Sequence, residues 1–307
     1  ATELLHRMKT GGTLPMITSC SPGWVNYCEY YYGDLLPHLS SCKSPHEMFG
    51  AILKSYYCEK TGIDPRDMFV VSIMPCTAKK YEKERPQLQK DGIKDVDAVL
   101  TTRELGKLIK RSGIRFDKLP EEQFDNDVVG EYTGAGVIFG VTGGVMEAAL
   151  RTAIYTVTGK EPEKAELTEV RGFKGVREAA YDLNGTKVKI AVAHGMKNAK
   201  VLLDDIRAGK SEYQFIEIMG CPGGCIAGGG QPYVRPCFLP NEGTDILDTY
   251  KEKRAAALYR EDESRPYRFS HQNPQIVSLY EDYLEEPNSH KAHELLHTSY
   301  AAKERFN

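Results

Sequence analysis

The hydrophobic positions of the chain follow two spacings, one typical of helices and one typical of buried strands. Leu4, Leu5 and Met8 share one face of a predicted first helix. Short apolar runs typical of strands lie at residues 14–18, 69–74, 96–100 and 215–219. Helical patterns lie at residues 45–58, 102–113, 145–157 and 199–206. The alternation predicts an α/β fold with mixed, mostly parallel sheets flanked by helices.

Turn and glycine signals add detail to this fold. Asn184-Gly185 separates two apolar runs, at 179–183 and 187–193, and predicts a hairpin that gives a sheet one antiparallel edge. Six glycines within residues 130–144 would let the backbone pass close to a neighbour or a cofactor.

The last part of the chain has a different pattern. Charged helices separated by prolines are predicted at 250–259, 273–284 and 290–300. We therefore predict a sheet-containing domain at 1–245 and a helical segment packed on it at 246–307.

Composition narrows the classes of function. The chain has 307 residues, 41% of them hydrophobic and 27% charged, with a net charge of −3, as in an ordinary globular protein. This charge gives no basic surface for nucleic acid and no polybasic membrane anchor. No apolar run approaches the roughly 20 residues that span a bilayer, and no signal peptide is visible. We expect a cytoplasmic protein without membrane insertion, and its start inside a helix suggests that upstream residues are missing.

Four of the eight cysteines lie in a repeated setting. Cys20, Cys76 and Cys221 each follow a strand-like run, and Cys225 closes the loop Cys-Pro-Gly-Gly-Cys. Because ligands collect beyond the carboxyl ends of parallel strands, these thiolates predict a soft-metal cofactor in a reducing compartment. The spacing and the scarcity of nearby histidines favour iron–sulfur over zinc. The other four predict core packing: Cys28, Cys42, Cys58 and Cys237.

Other side chains near these loops have more than one interpretation. Lys79 is either a solvated lysine or, in a buried anionic site, a hydrogen-bond donor to a negative ligand. Cys20 could bind metal, act as a free proton-donating thiol, or be an inert buried cysteine. His290, His293 and His297 share one helical face, which we interpret as structural or interfacial.

The three cysteine loops together resemble the catalytic domain of the FeFe-hydrogenases. The signatures of that family are Thr-Ser-Cys-Cys-Pro-x-Trp, Met-Pro-Cys-x-x-Lys-x-x-Glu and Glu-x-Met-x-Cys-x-x-Gly-Cys-x-x-Gly-Gly-Gly-x-Pro. This chain carries similar segments, in the same order, at 18–24, 74–82 and 217–232. The resemblance extends over most of the chain, and the region after residue 245 is similar to the family's small subunit.

The resemblance implies an H-cluster, a four-iron cubane joined by a cysteine sulfur to a two-iron unit with CO, cyanide and a dithiolate amine. By position, Cys76 and Cys221 would hold the cubane, Cys225 would bridge the two parts, and Lys79 would donate to a cyanide. Five further residues would contact the cofactor: Ser19, Pro45, Met74, Phe139 and Met219.

One position departs from the family pattern. The family has a proton-transfer cysteine followed by the fourth cubane ligand, whereas this chain has Cys20 followed by Ser21. Either a serine alkoxide completes the cubane, or Cys20 becomes the ligand, or the cluster is held differently. A serine ligand would be expected to lower the reduction potential, because oxygen is harder than sulfur.

The resemblance also implies a route for protons and a source of electrons. Cys20, Ser40 and Glu3 match the proton route, and a further acid would lie just before Ala1. The implied reaction is the reversible reduction of protons to H2, with electrons from ferredoxin-like or NAD(P)H-oxidising domains or subunits. Two alternatives share the fold: a non-catalytic iron–sulfur assembly protein and an H2 sensor.

Overall fold

The computed structural model describes residues 1–18, 20–122, 124, 128–234 and 246–304, with backbone alone at 246–249. The strands are β1 Met16–Thr18, β2 Val71–Met74, β3 Gln89–Lys90, β4 Ile93–Lys94, β5 Ala98–Thr101, β6 Val176–Leu183, β7 Thr186–His194 and β8 Phe215–Met219. The first six helices are α1 Thr2–Thr10, α2 Pro22–Tyr31, α3 Pro45–Ile52, α4 Cys58–Thr61, α5 Lys79–Glu82 and α6 Thr102–Arg111. The others are α7 Gly134–Ile138, α8 Gly144–Thr158, α9 Met196–Arg207, α10 Ile246–Ser264, α11 Pro274–Leu279 and α12 His290–Leu296.

The larger sheet has the strand order β1-β8-β7-β6. Its first three strands are parallel, and β6 pairs antiparallel with β7 through the predicted Asn184-Gly185 hairpin. All five residues of β8 are buried, as expected for a parallel strand covered on both faces. The sheet is therefore mixed and mostly parallel, in agreement with the sequence prediction.

Helices cover both faces of this sheet. On one face, Trp24 of α2 and Leu203 of α9 pack with Ile216 and Ile218 of β8. On the other face, α1 and α8 pack against Phe215 and its neighbours. Full burial of each large side chain contributes roughly 1.5–3 kcal/mol, so these two layers fix the position of the β8 end.

A second, two-stranded sheet is formed by β2 and β5, which are parallel. Its outer face is open in the described chain, where Val71 is 47% exposed and Ile73 is 41% exposed. The amphipathic helix α6 also has no buried residue. Its N-cap is Thr101, one residue before the predicted Thr102, because Thr101 and Glu104 form a reciprocal capping box.

The helices after residue 245 pack on the sheet-containing part through a buried ionic network. Asp262 on α10 accepts hydrogen bonds at 3.0 Å from both terminal nitrogens of Arg151 on α8. A Cβ at Gly134 would lie 2.0 Å from Asp262 Oδ1, so the glycine-rich segment does pass close to a neighbour. No helix in the described part of the chain has the length and hydropathy needed to cross a bilayer.

Two predicted helices differ in detail from the structure. The helix predicted at 45–58 continues through a π-helical turn, Leu53–Tyr57, into α4. The helix predicted at 290–300 ends at Leu296, because Thr298 N instead donates to Ser41 O at 2.7 Å. Residues 296–298 thus run antiparallel beside residues 41–43. The predicted domain boundary at 245/246 falls at the edge of the described residues and stays a prediction.

Candidate metal centre

Three strand ends direct their cysteine loops toward one region. Thr18 of β1 is paired with Glu217 of β8, so the loops after these strands start side by side. The third loop follows β2 in the smaller sheet, and Gly230 N donates to Pro75 O of that loop at 2.8 Å. The ends of two sheets therefore face each other, instead of all three loops leaving a single sheet.

Glycines allow this close approach. A Cβ at Gly228 would lie 2.3 Å from Pro75 O, and a Cβ at Gly220 would lie 2.3 Å from Ser21 Oγ. Gly224 has φ +96°, and a Cβ there would lie 2.6 Å from Thr142 N. These positions admit no side chain without movement of the backbone or of Ser21, so the sequence Cys-Pro-Gly-Gly-Cys has a steric reason.

The thiols of the three loops influence one another. A hydrogen bond with Cys225, assisted by the charge of Lys79, lowers the pKa of Cys20 to about 6. The same hydrogen bond and burial raise the pKa of Cys225 well above its ordinary value. Burial and the nearby Cys76 raise the pKa of Cys221. Four thiols, three of them predicted metal ligands, therefore share one electrostatic environment.

The donor chemistry of this region fits an iron–sulfur cofactor. Cys20, Cys76, Cys221 and Cys225 are all free thiols, and thiolates suit iron–sulfur clusters. Glycines lie where the cysteine loops approach one another most closely. The donor set therefore fits the predicted H-cluster.

Lys79 is buried beside this region, with 5% of its surface exposed. Its ammonium donates to Glu82 Oε2 and to Cys20 O, both at 2.7 Å. Burial disfavours the charged amine, but the Glu82 carboxylate outweighs it and raises the Lys79 pKa. The interpretation as a solvated lysine is therefore wrong, and a fixed positive charge lies next to the thiols.

Sequence reasoning missed the polar groups behind Lys79. Glu82 Oε2 also accepts hydrogen bonds from Ser44 Oγ at 2.8 Å and from His46 Nε2 at 2.5 Å. Glu47 is fully buried beside His46. These residues lie on a helix with an apolar pattern, so only their polarity at buried positions could have revealed them.

Glu217 is the first residue of the third signature segment, but the sequence analysis predicted no role for it. Its carboxylate accepts from Gly143 N at 2.6 Å and Met146 N at 2.7 Å, and burial raises its pKa to about 7. It joins the end of β8 to the N-terminus of α8, where a carboxylate is favoured. A single acid inside the apolar run 215–219 was the available signal.

The predicted proton-route residues fall into two groups. Ser40 Oγ donates to Glu3 Oε2 at 2.6 Å. Burial opposes ionisation of Glu3, but hydrogen bonds from Ser40 and the charge of Arg7 lower its pKa. Cys20 lies instead with the other thiols.

Ser21 has a structural role that the sequence interpretation did not include. Its hydroxyl accepts from Trp24 N at 3.5 Å and forms the N-cap of α2. The close approach to Gly220 places the same hydroxyl next to the Cys221 loop. Capping and the predicted metal binding would therefore use the same oxygen.

The residues predicted to line the cofactor differ in how deeply they are buried. Met219 is buried at the end of β8, while Met74 and Phe139 are half-buried. Pro45 is exposed on the first turn of α3, so the described residues do not enclose it as a pocket wall. Ser19 and Cys237 lie outside the described residues.

Two of the cysteines predicted to pack in the core do so. Cys28 and Cys58 are buried. Cys42 is half-buried, and its Sγ lies 3.7 Å from Glu3 Oε2. The core-packing prediction is wrong for Cys42 because its neighbours are polar.

Comparison with known proteins agrees with this site. Residues 1–229 match the protein family described as the iron only hydrogenase large subunit, C-terminal domain. Residues 248–303 match the family described as the iron hydrogenase small subunit. The chain belongs to the iron-only hydrogenase family.

Particular relatives support the assignment. Iron hydrogenase 1 of Clostridium pasteurianum is 47% identical over 98% of this chain and 51% of the relative. The NADP-reducing hydrogenase subunit HndD of Solidesulfovibrio fructosivorans is 48% identical over 97% of this chain and 49% of the relative. A variant of the FeFe-hydrogenase HydA1 from Chlamydomonas reinhardtii superposes with a TM-score of 0.81 at 43% identity, covering 99% of this chain and 81% of that one. The chain spans about half the length of the curated hydrogenases it matches.

Assembly proteins are similar at lower identity. Protein NAR1 of Arabidopsis thaliana is 34% identical over 94% of this chain and 61% of the relative.

Proposed function

We propose that this chain forms the H-cluster part of an FeFe-hydrogenase and catalyses the reversible reduction of protons to H2. The observation that carries the proposal is the meeting of Cys20, Cys76, Cys221 and Cys225 beside the buried ammonium of Lys79. In this proposal residues 1–245 form the catalytic domain and residues 246–307 a helical segment packed on it. A cytoplasmic location remains a prediction.

The cysteine loops would hold different parts of the H-cluster. Cys76 and Cys221 would hold the cubane, and Cys225 would bridge the cubane and the two-iron unit. The hydroxyl of Ser21, which lies beside the Cys221 loop, would complete the cubane. When bound, the H-cluster would relay electrons and supply the metal centres for making and breaking the H–H bond.

Lys79 would hold the anionic end of the cofactor. Its ammonium is already oriented by Glu82 and by Cys20 O, so little conformational freedom is lost on binding. A charge-assisted hydrogen bond to cyanide would be stronger here than in water, because the site is buried.

Cys20 would move protons between the cofactor and the protein. In the metal-free chain its pKa is lowered first by the Cys225 thiol and then by Lys79. When Cys225 binds iron it no longer donates, so Lys79 remains to stabilise the Cys20 thiolate. A thiol with a pKa near the working pH suits a general acid. Ser40 and Glu3 would continue the route outward through their 2.6 Å hydrogen bond.

Electrons would come from partner domains or subunits that oxidise ferredoxin or NAD(P)H. The 48% identity with a subunit named for NADP reduction supports this class of partner. Reduction of ferredoxin or NADP by H2 in the complete protein would test it.

The deciding experiment is anaerobic H2 evolution from a reduced dye by the full-length protein after cluster maturation. We expect steady turnover and exchange between D2 and water protons. An assembly protein would show neither, and a sensor would show exchange only at a slow rate. Absence of both activities in a protein that has retained its iron would refute the proposal.

A further inference from the structure

A second set of metal-binding side chains lies apart from the four cysteines of the centre. One donor atom each from Glu3, Cys42 and His297 lies within 4.8 Å of the other two. The three residues come from α1, from the loop before α3 and from the end of α12. We propose that Glu3, Cys42 and His297 bind a divalent cation of the zinc class.

Backbone pairing holds two of the donors in place. Cys42 and His297 are opposite residues of an isolated antiparallel bridge, which puts their side chains side by side. Hydrogen bonds flank the bridge, from Thr298 N to Ser41 O at 2.7 Å and from Lys43 N to Leu296 O at 2.8 Å. The two donors are therefore positioned without any metal.

The third donor, Glu3, faces them with the oxygen that does not contact Arg7. Arg7 contacts Glu3 Oε1 at 2.7 Å, whereas Oε2 is the oxygen 3.7 Å from Cys42 Sγ. Ser41 Oγ contacts His297 Nδ1 at 2.8 Å and fixes the ring, as outer hydrogen bonds do in metal sites. The site thus has both its donors and the supports that orient them.

The donor chemistry selects the ion. A thiolate, an imidazole and one carboxylate suit Zn²⁺, whereas Mg²⁺ and Ca²⁺ prefer oxygen ligands. All three residues are half-buried, so water can reach the ion and complete a tetrahedron. Binding forms a Zn–S bond and releases the Cys42 proton to solvent, which leaves two negative ligands to balance the cation.

Zinc binding at this site would also affect proton transfer, and this effect rests on the proposed function. Glu3 Oε2 is also the oxygen that accepts the hydrogen bond from Ser40. A cation on this oxygen would withdraw it from the proposed proton route. Zinc would then act as an inhibitor at the outer end of that route.

The test is anaerobic calorimetric titration of zinc chloride into the cluster-loaded full-length protein. We expect one binding event whose affinity falls on the order of ten-fold or more in Cys42→Ser and in His297→Gln. His290→Gln removes an exposed histidine of the same helix and serves as the matched control, with unchanged affinity. Diffraction at the zinc absorption edge should place the ion between the three side chains.

Failure of this inference can be separated from failure of the proposed function. If the protein holds no H-cluster, zinc will also bind at Cys76, Cys221 and Cys225, but that binding will persist in His297→Gln. Zinc affinity that is the same in wild type, Cys42→Ser and His297→Gln would overturn the inference. An anomalous peak elsewhere, or no zinc binding, would overturn it as well.

Discussion

Replacing Glu82 by glutamine tests the buried ion pair that positions Lys79. The carboxylate accepts hydrogen bonds from Lys79, His46 and Ser44, and Lys79 and Glu82 have only 7% and 9% of their side-chain surface exposed. An amide of the same shape can keep an acceptor oxygen at the position of Glu82 Oε2, but it carries no negative charge. The substitution therefore leaves a buried ammonium without its counter-charge.

The expected loss of stability is large for a single polar substitution. Removing one partner of a buried pair costs about 3–5 kcal/mol. This corresponds to a decrease in the folding equilibrium constant of roughly a hundred-fold or more. Glu294→Gln is the matched control, because Glu294 pairs with Lys90 at 2.6 Å on the surface and both side chains are about half exposed. Loss of such a pair costs about 0–1 kcal/mol.

The unfolding free energy lost in Glu82→Gln should depend on pH in one direction. Burial raises the pKa of Glu82, but the charge of Lys79 and the hydrogen bond from His46 lower it overall, below its ordinary 4.5. A carboxyl group whose pKa is lower in the folded than in the unfolded chain stabilises the folded state fully at pH values above the unfolded-state pKa. This stabilisation is lost as the pH falls through the folded-state pKa. The difference between wild type and Glu82→Gln should therefore shrink only below about pH 4.5.

The assay is urea unfolding of the reduced, iron-free chain at pH 7, followed by circular dichroism. Using metal-free protein separates the ion pair from any effect of the cofactor. If Glu82→Gln and Glu294→Gln lower the unfolding free energy by the same small amount, Lys79 is not held by a buried carboxylate and the reasoning fails.

Four further substitutions test the centre. Cys225→Ala should abolish retention of the two-iron unit, and infrared bands of CO and cyanide that survive in this variant would contradict its bridging role. Cys20→Ala should leave the electron paramagnetic resonance of the cubane intact and stop turnover, whereas loss of the cubane signal would identify Cys20 as a ligand. Ser21→Cys should raise the cubane potential in a redox titration, since thiolate is the softer ligand, and an unchanged potential would restrict Ser21 to capping α2. Gly228→Ala should lower soluble yield and iron content, because its Cβ would lie 2.3 Å from Pro75 O, and normal iron loading would show that the loops can separate.

The sequence predicted the regular elements well, because apolar periodicity reports burial directly. β8 was predicted with its observed bounds, and the Asn184-Gly185 hairpin with its antiparallel pairing. The turn chemistry of this hairpin is local, so it can be read without tertiary information. The separate pairing of β2 with β5 was not predicted, since strand order depends on contacts between distant segments.

The sequence predicted which cysteines share one region, but not the polar groups around them. A cysteine that follows an apolar strand-like run is a visible local signal. The contacts of Glu82 with His46 and of Cys42 with His297 instead join residues far apart in sequence. The face of His290, His293 and His297 was interpreted as structural or interfacial, yet His297 contacts Ser41 beside Glu3. The exposure of Pro45 was likewise invisible in its motif.

Infrared spectroscopy of the matured full-length protein tests the central claim most directly, namely that thiolates from separate loops hold one iron assembly. We predict absorption bands of metal-bound CO and cyanide in the wild type, lost on Cys225→Ala, with the cyanide bands shifted on Lys79→Met. A matured protein that has retained its iron but shows no such bands would contradict the account.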